Sequence, residues 1–126
     1  MPEGKGCLSG NLIAGGAGVG SMLTLANPED ADLIITRFMM LKNVGAGGVF
    51  TTVDAGVTAD PAVSSDTLLD GQSLVAAGLL DNITNQANSG LEAVLWPSTS
   101  FVVATPSGDI SATGFEGTYY IEYVRV

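Results

Sequence analysis

From Ser21 onward the chain is cut into short apolar runs by turn residues, and that punctuation restricts it to a fold assembled from short strands. Met22-Leu23-Thr24-Leu25 runs into Asn27-Pro28-Glu29-Asp30. There proline fixes φ and the Asn and Asp side chains can bond the nearby backbone, so the spacing predicts a corner. Val49 to Val57 is rich in β-branched and aromatic residues and is expected to return antiparallel to the segment before it. Leu91–Trp96, Phe101–Thr105 and Gly117–Val126 read as three further strands, set apart by Pro97-Ser98 and by Pro106-Ser107-Gly108-Asp109. The last has the plainest alternation, with Tyr119, Ile121 and Tyr123 on one face and Tyr120, Glu122 and Val124 on the other.

Three segments are less clear-cut. Asp32 to Val44 places Leu33, Ile35, Met39 and Leu41 on one face and Ile34, Phe38 and Met40 on the other. A strand apolar on both sides has to be covered twice, by a facing sheet and by something else such as a neighbouring subunit. Periodicity alone does not separate such a strand from a buried helix, but the β-branched start and the Gly45-Ala46-Gly47-Gly48 break favour strand. Thr67-Leu68-Leu69-Asp70-Gly71 fits a helical turn or the start of a strand, and in Ser73 to Leu80 helix propensity competes with a strand reading. Thr58–Asp66 and Asp81–Gly90 read as polar loops. Seven or eight strands of this kind imply an all-β domain, a β-sandwich of jelly-roll type, with a barrel as the near alternative.

Residues 1 to 20 hold seven glycines and few apolar side chains, which reads as a flexible arm preceding a sandwich domain over residues 21–126. Gly15, Gly16, Gly18 and Gly20 miss the spacing of a dinucleotide-binding loop. The 126 residues are those of one domain, with length enough for a core without disulfides or metals. No long apolar run follows Met1-Pro2-Glu3-Gly4-Lys5-Gly6, so no signal peptide is expected, and Leu33–Leu41 is too short to span a bilayer.

Charge and residue types narrow the chemistry. Only 13% of residues are charged, against roughly 25% in an average soluble domain, so little on the surface opposes self-association or docking. A bland-surfaced monomer is the competing reading. The net charge of −9 repels nucleic-acid phosphate and anionic membranes, and Lys5, Arg37, Lys42 and Arg125 are too scattered to form a basic patch. There is no His, and Cys7 is alone. Neither a Ser-His-Asp nor a Cys-His nucleophile can therefore be built, and zinc loses its usual ligands.

Asp54, Asp60, Asp66, Asp70 and Asp81 are the carboxylates available for glycoside hydrolysis, and Asp66 or Asp70 for a loop calcium site. Solvated loop carboxylates are the simpler account, because no calcium-loop motif is present and the chain has a single Trp. That Trp96 invites a sugar-stacking role, but a Trp closing an apolar strand more often packs in a core or interface. Asn82-Ile83-Thr84 matches a glycosylation sequon, which means little without a secretory context. No catalytic residue, cofactor or metal is expected, and the chain reads as non-enzymatic.

Leu23-Thr24-Leu25-Ala26-Asn27-Pro28, Asp32-Leu33-Ile34-Ile35-Thr36, Ser65-Asp66-Thr67-Leu68-Leu69-Asp70-Gly71, Leu80-Asp81-Asn82 and Gly114-Phe115-Glu116-Gly117-Thr118-Tyr119-Tyr120-Ile121-Glu122-Tyr123 together resemble small structural proteins of tailed bacteriophages, in the style of capsid decoration or cement proteins. The resemblance covers about residues 20 to 126 and carries no catalytic signature. It implies a virion protein that binds the capsid exterior, often as a homotrimer, with the major capsid protein as partner. It also implies that the arm lies across the capsid through Leu8, Leu12 and Ile13, and that Phe38, Met40, Tyr119 and Tyr123 make the trimer contact. A receptor- or carbohydrate-binding fibre head and a tail or connector component are the rival readings.

Overall fold

The structure is a computed structural model in which residues 4–12, 22–44, 52–75, 77–83, 93–107 and 115–126 are described. Their regular elements are all strands: β1 (Lys5–Leu12), β2 (Leu23–Ala26), β3 (Leu33–Val44), β4 (Thr52–Thr58), β5 (Leu69–Ser73), β6 (Gly78–Asp81), β7 (Val94–Trp96), β8 (Phe101–Ser107) and β9 (Glu116–Arg125).

They form two antiparallel sheets. One has the order β1-β9-β3-β6, with β7 also paired to β3, and the other has the order β2-β8-β4-β5. The pairs β1:β9, β2:β8, β3:β6 and β4:β5 are nested, as in one long hairpin. Rolling that hairpin up adds the pairs β3:β9 and β4:β8 and separates its strands into two facing sheets. This is the strand order of a jelly roll, so the expected β-sandwich is the observed one. It also explains why β4 makes no hairpin with β3, contrary to expectation: β4 crosses to the opposite sheet and pairs with β8 and β5.

The core lies between the sheets. From β9 come Tyr119, Ile121 and Tyr123, from β3 Leu33, Ile35, Phe38 and Met40, and from the second sheet Leu23, Val53, Ala55, Leu69, Val102 and Ala104. Trp96 is fully buried, its indole N–H donating to the Ser100 carbonyl at 3.3 Å and its ring meeting Tyr123 edge-on. Pro106 is compatible with an interior strand because β2 reaches only as far as Ala104, so that among the described residues β8 is flanked by β4 alone at that point.

β3 is not a strand with two equivalent apolar faces. Its pairing to β9 shifts between Ile35 and Arg37, leaving Thr36 as an extra residue whose hydroxyl donates to the Glu122 carbonyl at 3.2 Å. A bulge of one residue reverses the side-chain alternation beyond it. Leu33 and Ile35 before it and Phe38 and Met40 after it therefore all point inward, while Ile34, Met39 and Leu41 stay half-buried on the outer face.

The gap between β6 and β7 along this edge is closed by Asn82, which is fully buried. Its Oδ1 accepts the Phe38 N–H at 2.7 Å, and its own N–H donates to the Phe38 carbonyl at 3.1 Å.

The expectation of a flexible arm over residues 1 to 20 is corrected over Lys5–Leu12, which pair residue by residue with β9, from Lys5 opposite Val124 to Leu12 opposite Gly117. Gly6 and Gly10 sit opposite Tyr123 and Tyr119. A Cβ on Gly6 would stand 2.7 Å from Tyr123 Cε1 and one on Gly10 would stand 2.9 Å from Tyr119 Cε1, both well inside contact distance. These glycines are places for tyrosine rings and not points of flexibility. Ile13 and residues 14–20 lie outside the described residues.

Candidate functional site

The side chains expected to make a subunit contact are interior. Phe38 and Met40 are fully buried, and Tyr119 and Tyr123 are 9% and 5% exposed, all four in the core of a single protomer. The alternation of β9 turns the tyrosines inward, and the Thr36 bulge does the same for Phe38 and Met40. The proposed capsid-binding side chains fare similarly: Leu12 is buried, and Leu8 is half-buried against the core. Phe38, Met40, Tyr119, Tyr123 and Leu12 are therefore not available as an interaction surface in this protomer, whereas Leu8 keeps part of its side chain exposed.

The outer face of the larger sheet carries half-buried Ile34, Met39, Leu41, Tyr120 and Val124, bordered by exposed Leu79 and Leu95. Near its middle Arg37 is paired with Asp81 at 3.3 Å. Toward β1 the face turns polar, through Lys5, Cys7, Ser9 and Asn11, all exposed. A shallow cleft of about 640 Å³ lies there, lined by Lys5, Gly6, Cys7, Thr36, Glu122, Tyr123 and Val124. Reading strict alternation through β3 missed this distribution, because the Thr36 bulge has no motif that announces it.

The acidic side chains considered for chemistry are mostly engaged in holding the backbone. Asp60 Oδ1 accepts the Ala62 N–H at 2.9 Å, and Asp81 Oδ1 accepts the Ile83 N–H at 2.7 Å. Asp54 Oδ1 accepts the Gly71 N–H at 2.7 Å. Partial burial raises the Asp54 carboxyl above its ordinary value, against the lowering effect of the Gly71 bond; nearby Asp70 and Asp66 push the same way as burial. Among the described residues no three His, Cys, Asp or Glu side chains are grouped so as to hold a metal ion.

Arg37 and Arg125 are ion-paired, to Asp81 and Glu29. Lys42 is buried on the inner side, its Nζ donating to the Ser73 carbonyl at 2.8 Å and tying β3 to β5 of the opposite sheet. Burial lowers its pKa. The corner at Asn27 is an Asx turn in which Oδ1 accepts the Glu29 N–H at 2.8 Å while Nδ2 donates to the carbonyls of Ala31 and Trp96. It delivers Glu29 to Arg125 and to the Tyr123 hydroxyl, which donates to Oε2 at 3.1 Å. These two bonds, Arg125 first, hold the Glu29 carboxyl below its ordinary value. Trp96, being fully buried, offers no platform for a sugar.

A jelly-roll β-sandwich is thus the class of protein that the strand order defines. No family model matches the chain, and no curated protein matches it. Among solved structures, the fold is similar to that of a chain in "Capsid of Ralstonia phage GP4", with a TM-score of 0.59 and 17% identity over 97% of this chain and 84% of that one. The likeness is one of fold and extends over nearly the whole chain.

Proposed function

We propose that the protein is a non-enzymatic structural component of a tailed-phage virion that binds the outside of the capsid and braces neighbouring capsid subunits. The observation that carries this reading is the fold likeness over 97% of the chain to a chain of a phage capsid. It agrees with the resemblance in the turn and strand sequences to decoration proteins.

The physical character of the chain supports the same role. Its conspicuous side chains, Trp96 and the tyrosines of β9 among them, go to the core, and its aspartates bond turns. A net charge of −9 suits a protein that works beside packaged DNA without binding it. The partner is the major capsid protein, and many weak contacts summed over many copies supply the bracing. The test is deletion of the gene from the phage that encodes it. Virions without the protein should lose infectivity faster on heating, and added purified protein should restore their survival. Virions of unchanged heat resistance, with no copies of the protein detected by mass spectrometry in the parent particle, would overturn the reading.

A further inference from the structure

We infer that the open edge of β1 is a self-association surface, on which the β1 of a second copy pairs antiparallel to join two sandwiches through one continuous sheet. An edge strand presents unpaired N–H and C=O groups, and proteins normally blunt it by shortness, bulges, proline or charge. The other edges described here are blunted. β2 has 4 residues, β6 has 4 and β7 has 3. β5 has 5 residues, with a register shift against β4 and a left-handed Gly71.

β1 has none of these devices. It runs for 8 residues in unbroken register with β9, contains no proline, and has Lys5 at its end as its one charge. Its outward side chains, Cys7, Ser9 and Asn11, are small or polar and exposed, so among the described residues nothing bulky shields the edge. Gly6 and Gly10, held under the tyrosine rings, keep it pressed to the sheet and in place for pairing.

Electrostatics and burial choose a second copy and a register. With the two-fold axis at Leu8, Cys7 lies opposite Ser9 of the other copy, Gly6 opposite Gly10, and Lys5 opposite Asn11. The two Lys5 side chains fall at opposite ends of the ladder. Leu8, half-buried against the core rim, meets its own counterpart and loses its remaining exposure. The aspartates Asp54, Asp60, Asp66 and Asp70 belong to β4, β5 and the segment between them in the other sheet, and the exposed carboxylate beside β1, Glu122 opposite Cys7, shares its cleft with the Lys5 cation. The inference rests on the edge alone; a dimer that ignores capsids upholds it.

The test is sedimentation equilibrium of the full chain under reducing conditions. A concentration-dependent dimer is expected, and a monomer throughout the micromolar range overturns the inference. Cys7→Lys with Ser9→Lys, both at exposed positions, puts like charges opposite each other twice and should weaken the dimer by roughly tenfold. A dimer unaffected by that pair of substitutions lies on another surface and equally overturns the inference. Ser9→Cys, lying opposite Cys7 of the other copy at a spacing that suits a disulfide, should cross-link the dimer on mild oxidation. Failure to do so while the dimer persists would exclude the Leu8-centred register.

Discussion

Replacing Gly6 by Ala should destabilise the fold by about 2 kcal/mol, because the added methyl enters space that the Tyr123 ring occupies. The new Cβ would stand 2.7 Å from Cε1 of that ring, and closer still to Cζ and the hydroxyl, where carbon contacts ordinarily lie at about 3.5–4.0 Å. The ring has little freedom to withdraw. It is 5% exposed, its hydroxyl donates to Glu29, and it meets Trp96 edge-on with centroids 6.4 Å apart. Overpacking of this kind costs about 1–3 kcal/mol. Displacing the ring adds part of a charged hydrogen bond and of an aromatic edge contact, together about 1 kcal/mol. Against that, Ala restricts the unfolded chain and returns about 0.4–1 kcal/mol. Urea unfolding followed by the fluorescence of Trp96 measures the difference. In a Tyr123→Leu background the cost of Gly6→Ala should fall to near zero. A Gly6→Ala variant within about 0.5 kcal/mol of the parent, or one whose cost is the same with Leu at 123, would refute the packing role assigned to this glycine.

Asn82→Ala should cost about 2–3 kcal/mol, since it orphans the buried Phe38 N–H on the side of β3 away from β9, where neither β6 nor β7 pairs with it; thermal unfolding with a melting point within 2 °C of the parent would contradict this. Asp54 gives a pH signature. Its raised carboxyl pKa means that the folded state holds the proton more tightly than the unfolded one, so this group costs stability as pH rises through the folded pKa and costs nothing below the ordinary value of 3.8. Asp54→Asn, which keeps an acceptor for the Gly71 N–H, should therefore be more stable than the parent at pH 7 and equal to it at pH 3, as read by urea midpoints at the two values. Glu29 runs the other way. Its depressed pKa contributes stability above the ordinary glutamate value that is lost as pH falls through the folded pKa, and Arg125→Met should flatten that acid limb.

Much of the fold is legible in the residues because it depends on local signals. The Asn27-Pro28 corner, the alternation of Tyr119, Ile121 and Tyr123, and the break at Pro97 each rest on side chains that act on their own backbone or on one face of a strand, whereas Pro106 and Ser107, read as a turn, continue β8 in its pairing with β4. What escaped depends on partners distant in sequence. Gly6 and Gly10 read as flexibility until β9 lies beside them and their missing side chains make room for two rings. Thr36 is unremarkable in sequence, yet as a bulge it turns Phe38 and Met40 from candidate surface to core. The burial of Asn82 likewise depends on where β3 lies. The subunit-contact residues were misplaced for one physical reason: large apolar side chains in a small sandwich are needed between its own sheets before any are left for a neighbour.

The central claim is that this sandwich binds a phage capsid from outside, and the most direct measurement is sedimentation of purified protein with capsids lacking it. The account predicts saturable co-sedimentation, with the protein accessible to antibody on intact shells and the loaded shells more resistant to heat. Protein that remains in the supernatant at every concentration, or that labels the tail and not the shell, would contradict it.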